Sequence, residues 1–260
     1  MKFSLFPFLQ YLKYFLKKED KHSLHSPFVY GLYTGLTKYL SENISSFPVI
    51  EQMRQELLKD QTIVSINDLG AGSRYFSSPS RKISDVAKYS SSSRKHSLLY
   101  QYFCSLTPAQ TVVELGTGLG LNSCYLAEAT KGKLFTFEGA EALLERTKEN
   151  LKVYDNIEVV AGDITETLPG FLENEPKIDF AMLDANHTYE HTISYYRQLK
   201  AHIHETSVLI IGDIHWSEGM NRAWKEIIKA ENIRLSLDFY ECGVLLFKTG
   251  LEKEDYILDF

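Results

Sequence analysis

The residues best suited to bind a small molecule lie in the segment TVVELGTGLGLNSCYLA, at 111–127. It begins as an apolar strand that carries Glu114, continues as a turn with glycines at 116, 118 and 120, and then takes on a helical pattern. Such a turn presents backbone N–H groups to a ligand at the start of the helix. The segment therefore predicts a binding site for a nucleotide-like molecule.

The spacing of these glycines narrows the class of ligand. A dinucleotide-binding turn needs its third glycine where this chain has Leu121. A loop that binds the β- and γ-phosphates of a nucleotide needs a Lys followed by Ser or Thr after the glycines, and this chain has no such pair there. The turn is therefore typical of a site for a ligand with little or no phosphate.

A second acidic residue follows the next predicted strand. The segment KLFTFE forms an apolar strand that ends in Glu138. In this kind of parallel sheet, an acid at the end of the second strand accepts hydrogen bonds from the two hydroxyls of a ribose. Glu138 is therefore the expected ribose-binding residue.

Together, ELGTGLG and FTFEGA resemble the class I S-adenosylmethionine-dependent methyltransferases. The resemblance extends, in the family's order, through AGD at 161–163, IDFAMLD at 178–184 and IIGD at 210–213. It implies S-adenosylmethionine as the cofactor, and Asp163 near the adenine, although Asp163 could instead cap the helix that begins at Ile164. The cofactor-binding residues that we expect are Glu114, Gly116, Gly118, Gly120, Glu138, Asp163 and Asp184.

The order of the elements predicts an α/β fold with a Rossmann-like, doubly wound, seven-stranded sheet. The last two strands are joined only by Tyr240 and Glu241, which is too short for a crossover helix, so the last strand must be antiparallel. The predicted strands are 111–115, 133–138, 157–161, 178–184, 206–213, 233–239 and 242–248, and the helices between them are 119–130, 140–152, 164–173, 188–203 and 217–231.

Residues 1–105 form a predicted, mainly helical extension or cap, and 106–260 the cofactor-binding domain. A helix opens at Ser26-Pro27, a second covers 50–58, and two short helices flank the serine run at 90–93. DLGAGS contains Asp68, Gly70 and Gly72 and is interpreted as an ordered turn beside the active site. HSPFVY, DLGAGS and the serine-rich segment together resemble a bacterial branch of the same family.

The first eighteen residues are strongly apolar but are interrupted by Pro7, Gln10 and Lys13. They are too broken for a signal peptide and too short to span a bilayer. An amphipathic helix is expected, packed against the main domain or against a second subunit in a homodimer. Binding to a membrane surface is the alternative.

Catalytic side chains are expected after the fourth and fifth strands of the predicted domain, in the loops DANHTYE and GDIHW. His187 is the candidate base for a hydroxyl acceptor, with Asp184 to orient it, and Asp213 lies in the neighbouring loop. His187 could instead cap the helix that follows. The resemblance here is to divalent-metal catechol-type O-methyltransferases, yet Ile214 stands where their metal-binding Asn would be. We therefore expect no metal; if one binds, its ligands are Asp184, Asp213 and His215.

Composition agrees with an enzyme that acts on small molecules. The chain has 260 residues and a net charge of −6, which argues against general nucleic-acid binding. Its three cysteines are widely spaced and suit free thiols in the cytoplasm. We expect O-methylation of a small or medium-sized acceptor. The alternatives are an N- or protein-directed methyltransferase and a non-catalytic domain that binds cofactor or has a regulatory role.

Overall fold

A computed structural model describes residues 5–66, 78–174 and 177–260. The first part of the chain is mostly helical, and helices flank the serine run as predicted. Pro27 opens a helix at its first position, where its missing N–H has no intrahelical partner to lose. The elements are α1 Leu5–Lys17, α2 Pro27–Asn43, α3 Pro48–Leu57, β1 Ile63–Ser65, β2 Ser80–Lys82, α4 Ile83–Tyr89 and α5 Arg94–Ser105. The antiparallel pair β1–β2 was not predicted.

Strands and helices then alternate, because apolar runs of five or six residues are followed by glycine turns or helix caps. Thr188 and Ser217 illustrate such caps, since their hydroxyls accept hydrogen bonds from backbone N–H groups of the helices that follow. The elements are β3 Thr111–Leu115, α6 Leu121–Ala129, β4 Lys133–Glu138, α7 Glu141–Leu151, β5 Ile157–Ala161, α8 Ile164–Leu172, β6 Ile178–Leu183, α9 Tyr189–Leu199, β7 Ile203–Gly212, α10 Glu218–Ile227, β8 Leu235–Asp238, β9 Cys242–Leu246 and β10 Glu254–Ile257.

The strands from β3 onward form one sheet in the order β10-β8-β9-β7-β6-β3-β4-β5. β3 pairs in parallel with both β4 and β6, so the chain winds outward in two directions from this pair. A crevice therefore opens between the carboxyl ends of β3 and β6, where ligands bind in open α/β sheets. The Rossmann-like fold is confirmed.

The antiparallel strand is also confirmed. β9 lies between β7 and β8 and is antiparallel to both. Beyond the seven predicted strands, β10 pairs in parallel with β8 at the edge of the sheet. Its sequence EDYI carries two acids, and the strand is only partly buried, so it lacks the apolar run that marks the other strands.

Each face of the sheet carries a hydrophobic core. On one face Val112 and Phe180 pack in a cluster that also contains Leu36 of α2 and Phe103 of α5. On the other face Val113, Leu115 and Ala181 pack in a cluster with side chains of α8, α9 and α10. Helices α2 and α5 of the N-terminal part therefore share a core with one face of the sheet.

In the parts of the chain that the structure describes, no helix combines the length and apolar character that crossing a bilayer requires.

Candidate active site

The turn after β3 contains three glycines with positive φ, and two of them, Gly116 and Gly118, line a cavity. Gly116 has φ +104°, and a Cβ there would lie 2.4 Å from the carbonyl oxygen of Asp184. Gly118 has φ +56°, and nothing lies within 4 Å of where its Cβ would be. Gly116 is therefore required by close packing against the end of β6, whereas Gly118 borders open space. Both line a cavity of about 620 Å³, a volume typical of small-molecule sites.

The Glu138 carboxylate lies beside this turn. It accepts hydrogen bonds of 2.7 Å from the backbone N–H groups of Gly118 and Ala140, and it lines the cavity. Burial raises the pKa of Glu138, while the backbone hydrogen bonds lower it. The predicted ribose-binding residue is therefore placed at the cavity wall.

Two of the predicted cofactor residues lie away from the cavity wall. Glu114 is 1% exposed, and its carboxylate accepts hydrogen bonds from the side chains of Asn122, Ser123 and Thr136. Gly120 has φ +79°, and a Cβ there would lie 2.9 Å from the side chain of Leu151. In this structure the hydrogen bonds of Glu114 link β3 to α6 and β4. Gly120 allows the side chain of Leu151, on α7, to pack closely against the turn.

Glu114 gives a prediction about stability. Burial raises its pKa to about 7, although its three hydrogen-bond donors lower it. The folded state therefore disfavours the ionised carboxylate, and the free energy of unfolding should fall by up to about 3 kcal/mol as pH rises through the interval from the ordinary pKa to about 7. Glu114→Gln should remove this dependence, and Glu114→Ala should destabilise the protein by about 2–4 kcal/mol at about pH 5, with a smaller difference from the wild type at about pH 8.

Urea denaturation of the wild type and both variants, at about pH 5 and about pH 8, measures these effects. Comparing the wild type with Glu114→Gln cancels the titration of all other groups. A wild type that gains stability relative to Glu114→Gln as pH rises would contradict the assignment.

Asp163 lies at the cavity wall and also caps a helix. Its Oδ1 accepts a 2.8 Å hydrogen bond from the backbone N–H of Thr165, at the first turn of α8. The same residue lines the cavity. The structure therefore shows the helix cap, and contact of Asp163 with the adenine stays a prediction.

The predicted catalytic residues come together at the ends of β6 and β7. Donor atoms of Asp184, His187 and Asp213 lie within 4.8 Å of one another. The Nδ1 of His187 is 3.6 Å from the Oδ2 of Asp213, which is too long for a direct hydrogen bond and makes Asp213 a charged neighbour of the imidazole. Burial raises the pKa of Asp184, with His187 lowering it and Asp213 raising it again. All three line the cavity.

Backbone strain is concentrated around this cluster. Among the described residues other than glycine, six have positive φ, and four of them line the cavity: Asn186, His187, Asp213 and Tyr240. Such conformations cost about 1–3 kcal/mol each and persist where the surrounding structure enforces them. The concentration indicates that the loops are held for a functional reason.

His215 was predicted as a possible metal ligand, but its ring nitrogens face other residues. Its Nε2 lies 2.8 Å from the carboxylate of Asp238, and its Nδ1 lies 2.8 Å from the amide of Asn221. The ring also stacks on Tyr240 at 5.3 Å. Both ring nitrogens are occupied by these partners, so His187, and not His215, joins Asp184 and Asp213.

The remaining wall includes residues that the sequence analysis missed. Tyr100, on α5, is buried, and burial raises its pKa. Glu241 adds a third carboxyl group beside those of Asp184 and Asp213, and burial and these two carboxylates raise its pKa. The only sequence signal for Glu241 was its position in the β8–β9 hairpin. Ser90 to Ser93 also line the cavity, whereas Asp68, Gly70 and Gly72 lie outside the described residues.

Comparisons with known proteins agree with this geometry. A family model described as a methyltransferase domain matches residues 113–214. A protein-L-isoaspartate O-methyltransferase of Methanothermobacter thermautotrophicus is 39% identical over 75 residues, which cover 27% of this chain and 33% of that protein. The chain thus spans about a third of the length of this curated relative.

Solved structures show a similar fold. An O-methyltransferase from Bacillus cereus in complex with SAH has a TM-score of 0.50 and 18% identity, covering 60% of this chain and 82% of that one. A methyltransferase from Geobacter sulfurreducens has a TM-score of 0.54 and 12% identity, covering 83% and 96%. Residues 113–214 therefore match a methyltransferase domain, and the fold and the glycine turn of the chain are similar to those of the class I S-adenosylmethionine-dependent methyltransferases.

Proposed function

We propose that this methyltransferase transfers the methyl group of S-adenosylmethionine to an oxygen atom of a small or medium-sized acceptor. The cluster of Asp184, His187 and Asp213 carries the proposal, because it sets a base and two carboxylates on the wall of the cavity that the glycine turn borders. The O-methyltransferase among the structural neighbours agrees with this choice of acceptor atom.

Three features of the cavity fit the cofactor. Gly118 leaves open space for a close approach to the backbone, and Glu138 offers a carboxylate for the ribose. The carboxyl groups of Asp184, Asp213 and Glu241 make this end of the cavity suitable for a cation such as a sulfonium. When bound, S-adenosylmethionine supplies an electrophilic methyl group.

The chain's own residues then have to align and activate the acceptor. Methyl transfer is an in-line displacement, so positioning in a partly dry cavity supplies much of the rate. Asp213 lies beside Nδ1 of His187, which leaves Nε2 to take the proton of the acceptor hydroxyl. Trp216 and Tyr240 supply apolar surface at the cavity wall, against which an acceptor can pack.

A divalent metal is the alternative use of the same cluster. One imidazole and two carboxylates form a donor set that binds manganese, iron or zinc, and a catalytic site needs only three protein ligands. Ile214 is fully buried and offers no donor, so the ligand that the Asn of catechol-type enzymes would supply is missing. We favour the base.

Dialysis against EDTA separates the two uses of the cluster. On the base proposal, turnover should stay within about twofold of the starting value, and added magnesium, manganese or zinc should change it little. Loss of turnover that one of these ions restores would assign Asp184, His187 and Asp213 as metal ligands instead.

The acceptor is tested by incubating the enzyme with methyl-labelled S-adenosylmethionine and fractionated host extract. Mass spectrometry should find the label in small molecules, and the NMR shift of the labelled carbon should be that of an O-methyl group. Label on nitrogen or on protein would favour the N- or protein-directed alternative. Cofactor binding without transfer in any fraction would favour a non-catalytic role. His187→Asn is the matched control for enzyme-dependent label.

We also place the reaction in the cytoplasm. Cys104, Cys124 and Cys242 are all free and buried, as suits a reducing compartment.

A further inference from the structure

Helix α1 presents an apolar face that the described parts of the chain leave largely exposed. With 100° of rotation per residue, its exposed apolar residues occupy one continuous arc of roughly 160°. Leu16 is 82% exposed and Leu5 is 67% exposed, which is unusual for large aliphatic side chains. The exposed residues of this arc are Leu5, Phe8, Leu9, Tyr11, Leu12, Phe15 and Leu16.

The opposite face holds the helix on the protein, so the orientation of the apolar arc is fixed. The Tyr14 hydroxyl donates a 2.7 Å hydrogen bond to the carbonyl of Leu258, and Gln10 is buried. The Tyr240 hydroxyl donates a 2.8 Å hydrogen bond to the carbonyl of Pro7. Helix α1 is therefore a docked element whose apolar side faces outward.

The charges of α1 are all positive. Lys13 and Lys17 are exposed on one side of the apolar arc, and the helix contains no acidic residue. The chain as a whole has a net charge of −6, so the net charge of α1 is opposite in sign to that of the whole chain. A second copy of the chain would bring the same lysines together, whereas an anionic surface would neutralise them.

We propose that α1 docks the protein on an anionic lipid bilayer, lying in the plane of the interface. The apolar arc enters the boundary between headgroups and acyl chains, and Lys13 and Lys17 contact the anionic headgroups. At 13 residues the helix is too short to cross the bilayer. The proposal concerns binding alone and does not depend on methyl transfer.

The position of α1 also relates the membrane to the active site. Pro7 lines the cavity, and Tyr11 and Tyr14 pack on the ring of Tyr240 at 5.2 and 5.4 Å. Tyr240 lines the same cavity. Docking through α1 therefore places one rim of the cavity about one helix diameter, roughly 10 Å, from the bilayer surface.

Co-sedimentation with lipid vesicles tests the proposal. The wild type should bind vesicles made of equal parts phosphatidylcholine and phosphatidylglycerol, and bind phosphatidylcholine vesicles much more weakly. The double variant Phe8→Ser, Leu16→Ser should weaken binding by about tenfold or more. Replacing Lys13 or Lys17 with Gln should weaken it roughly fivefold each, and salt should reduce that difference.

The matched control is the double variant Val49→Ser, Val153→Ser, because these residues are 73% and 70% exposed but lie outside α1. It should bind like the wild type. Circular dichroism establishes that each variant is folded. The proposal is overturned if the folded wild type does not bind anionic vesicles, or if the Val control loses binding equally. It is also overturned if sedimentation velocity shows a dimer that Phe8→Ser, Leu16→Ser dissociates and vesicles bind neither form.

Discussion

Gly118→Val should weaken binding of S-adenosylmethionine by about a hundredfold or more. Gly118 borders the cavity, and no atom lies within 4 Å of the position that its Cβ would take. A valine there has room in the empty protein but occupies the space through which a cofactor approaches the backbone. Calorimetric titration with S-adenosylmethionine and with its demethylated product measures the loss.

Backbone strain needs a separate control, because Gly118 has φ +56° and a β-branched residue is unfavourable there. Gly250 has φ +83°, also has nothing within 4 Å of its Cβ position, and does not line the cavity. Gly250→Val should therefore bind the cofactor normally. Normal binding by a folded Gly118→Val protein would exclude this turn as the cofactor site.

Glu138→Ala should also weaken cofactor binding, since each hydrogen bond between a carboxylate and a ribose hydroxyl contributes about 1.5–3 kcal/mol. The same carboxylate accepts the N–H of Gly118, so part of the loss should come from a less ordered turn. The same titration measures both parts together.

His187→Asn should lower turnover by about a hundredfold or more while leaving cofactor affinity unchanged, because general-base catalysis typically contributes about 10²–10⁴ in rate. Asn is the informative replacement, since it tolerates the left-handed backbone at this position, where φ is +43°. Initial rates with a methyl acceptor, together with calorimetry on the same preparation, separate chemistry from binding.

His191→Ala provides the matched control. His191 lies one helical turn further along the chain, on α9, and does not line the cavity. Its replacement should change turnover by less than about threefold. Equal losses in the two variants, or a His187→Asn enzyme that keeps wild-type turnover, would mean that His187 is not the base.

The sequence predicted the sheet well because its strands are apolar runs that end in turns. The bounds of β3, β4 and β5 agree with those expected, and the two-residue link at Tyr240 and Glu241 required the antiparallel strand. Because parallel strands end at one edge of a sheet, the meeting of Asp184, His187 and Asp213 also followed from the order of the strands.

The direction of individual side chains could not be predicted in the same way. Glu114 and Val112 lie two residues apart on one strand and share a face, which α6 covers with polar partners for the carboxylate. The position of His215 depends on Asp238 and Asn221, which lie on other elements. Tyr100 reaches the cavity from α5, and no local pattern relates that helix to the strand ends.

The most direct test of the account is calorimetric titration of the wild-type chain with S-adenosylmethionine, its demethylated product and NAD. The glycine turn, Glu138 and the surrounding cavity predict saturable binding of the first two ligands at one site per chain, and no measurable binding of NAD. Failure of the folded protein to bind either S-adenosyl ligand, or binding of NAD with equal affinity, would contradict the account.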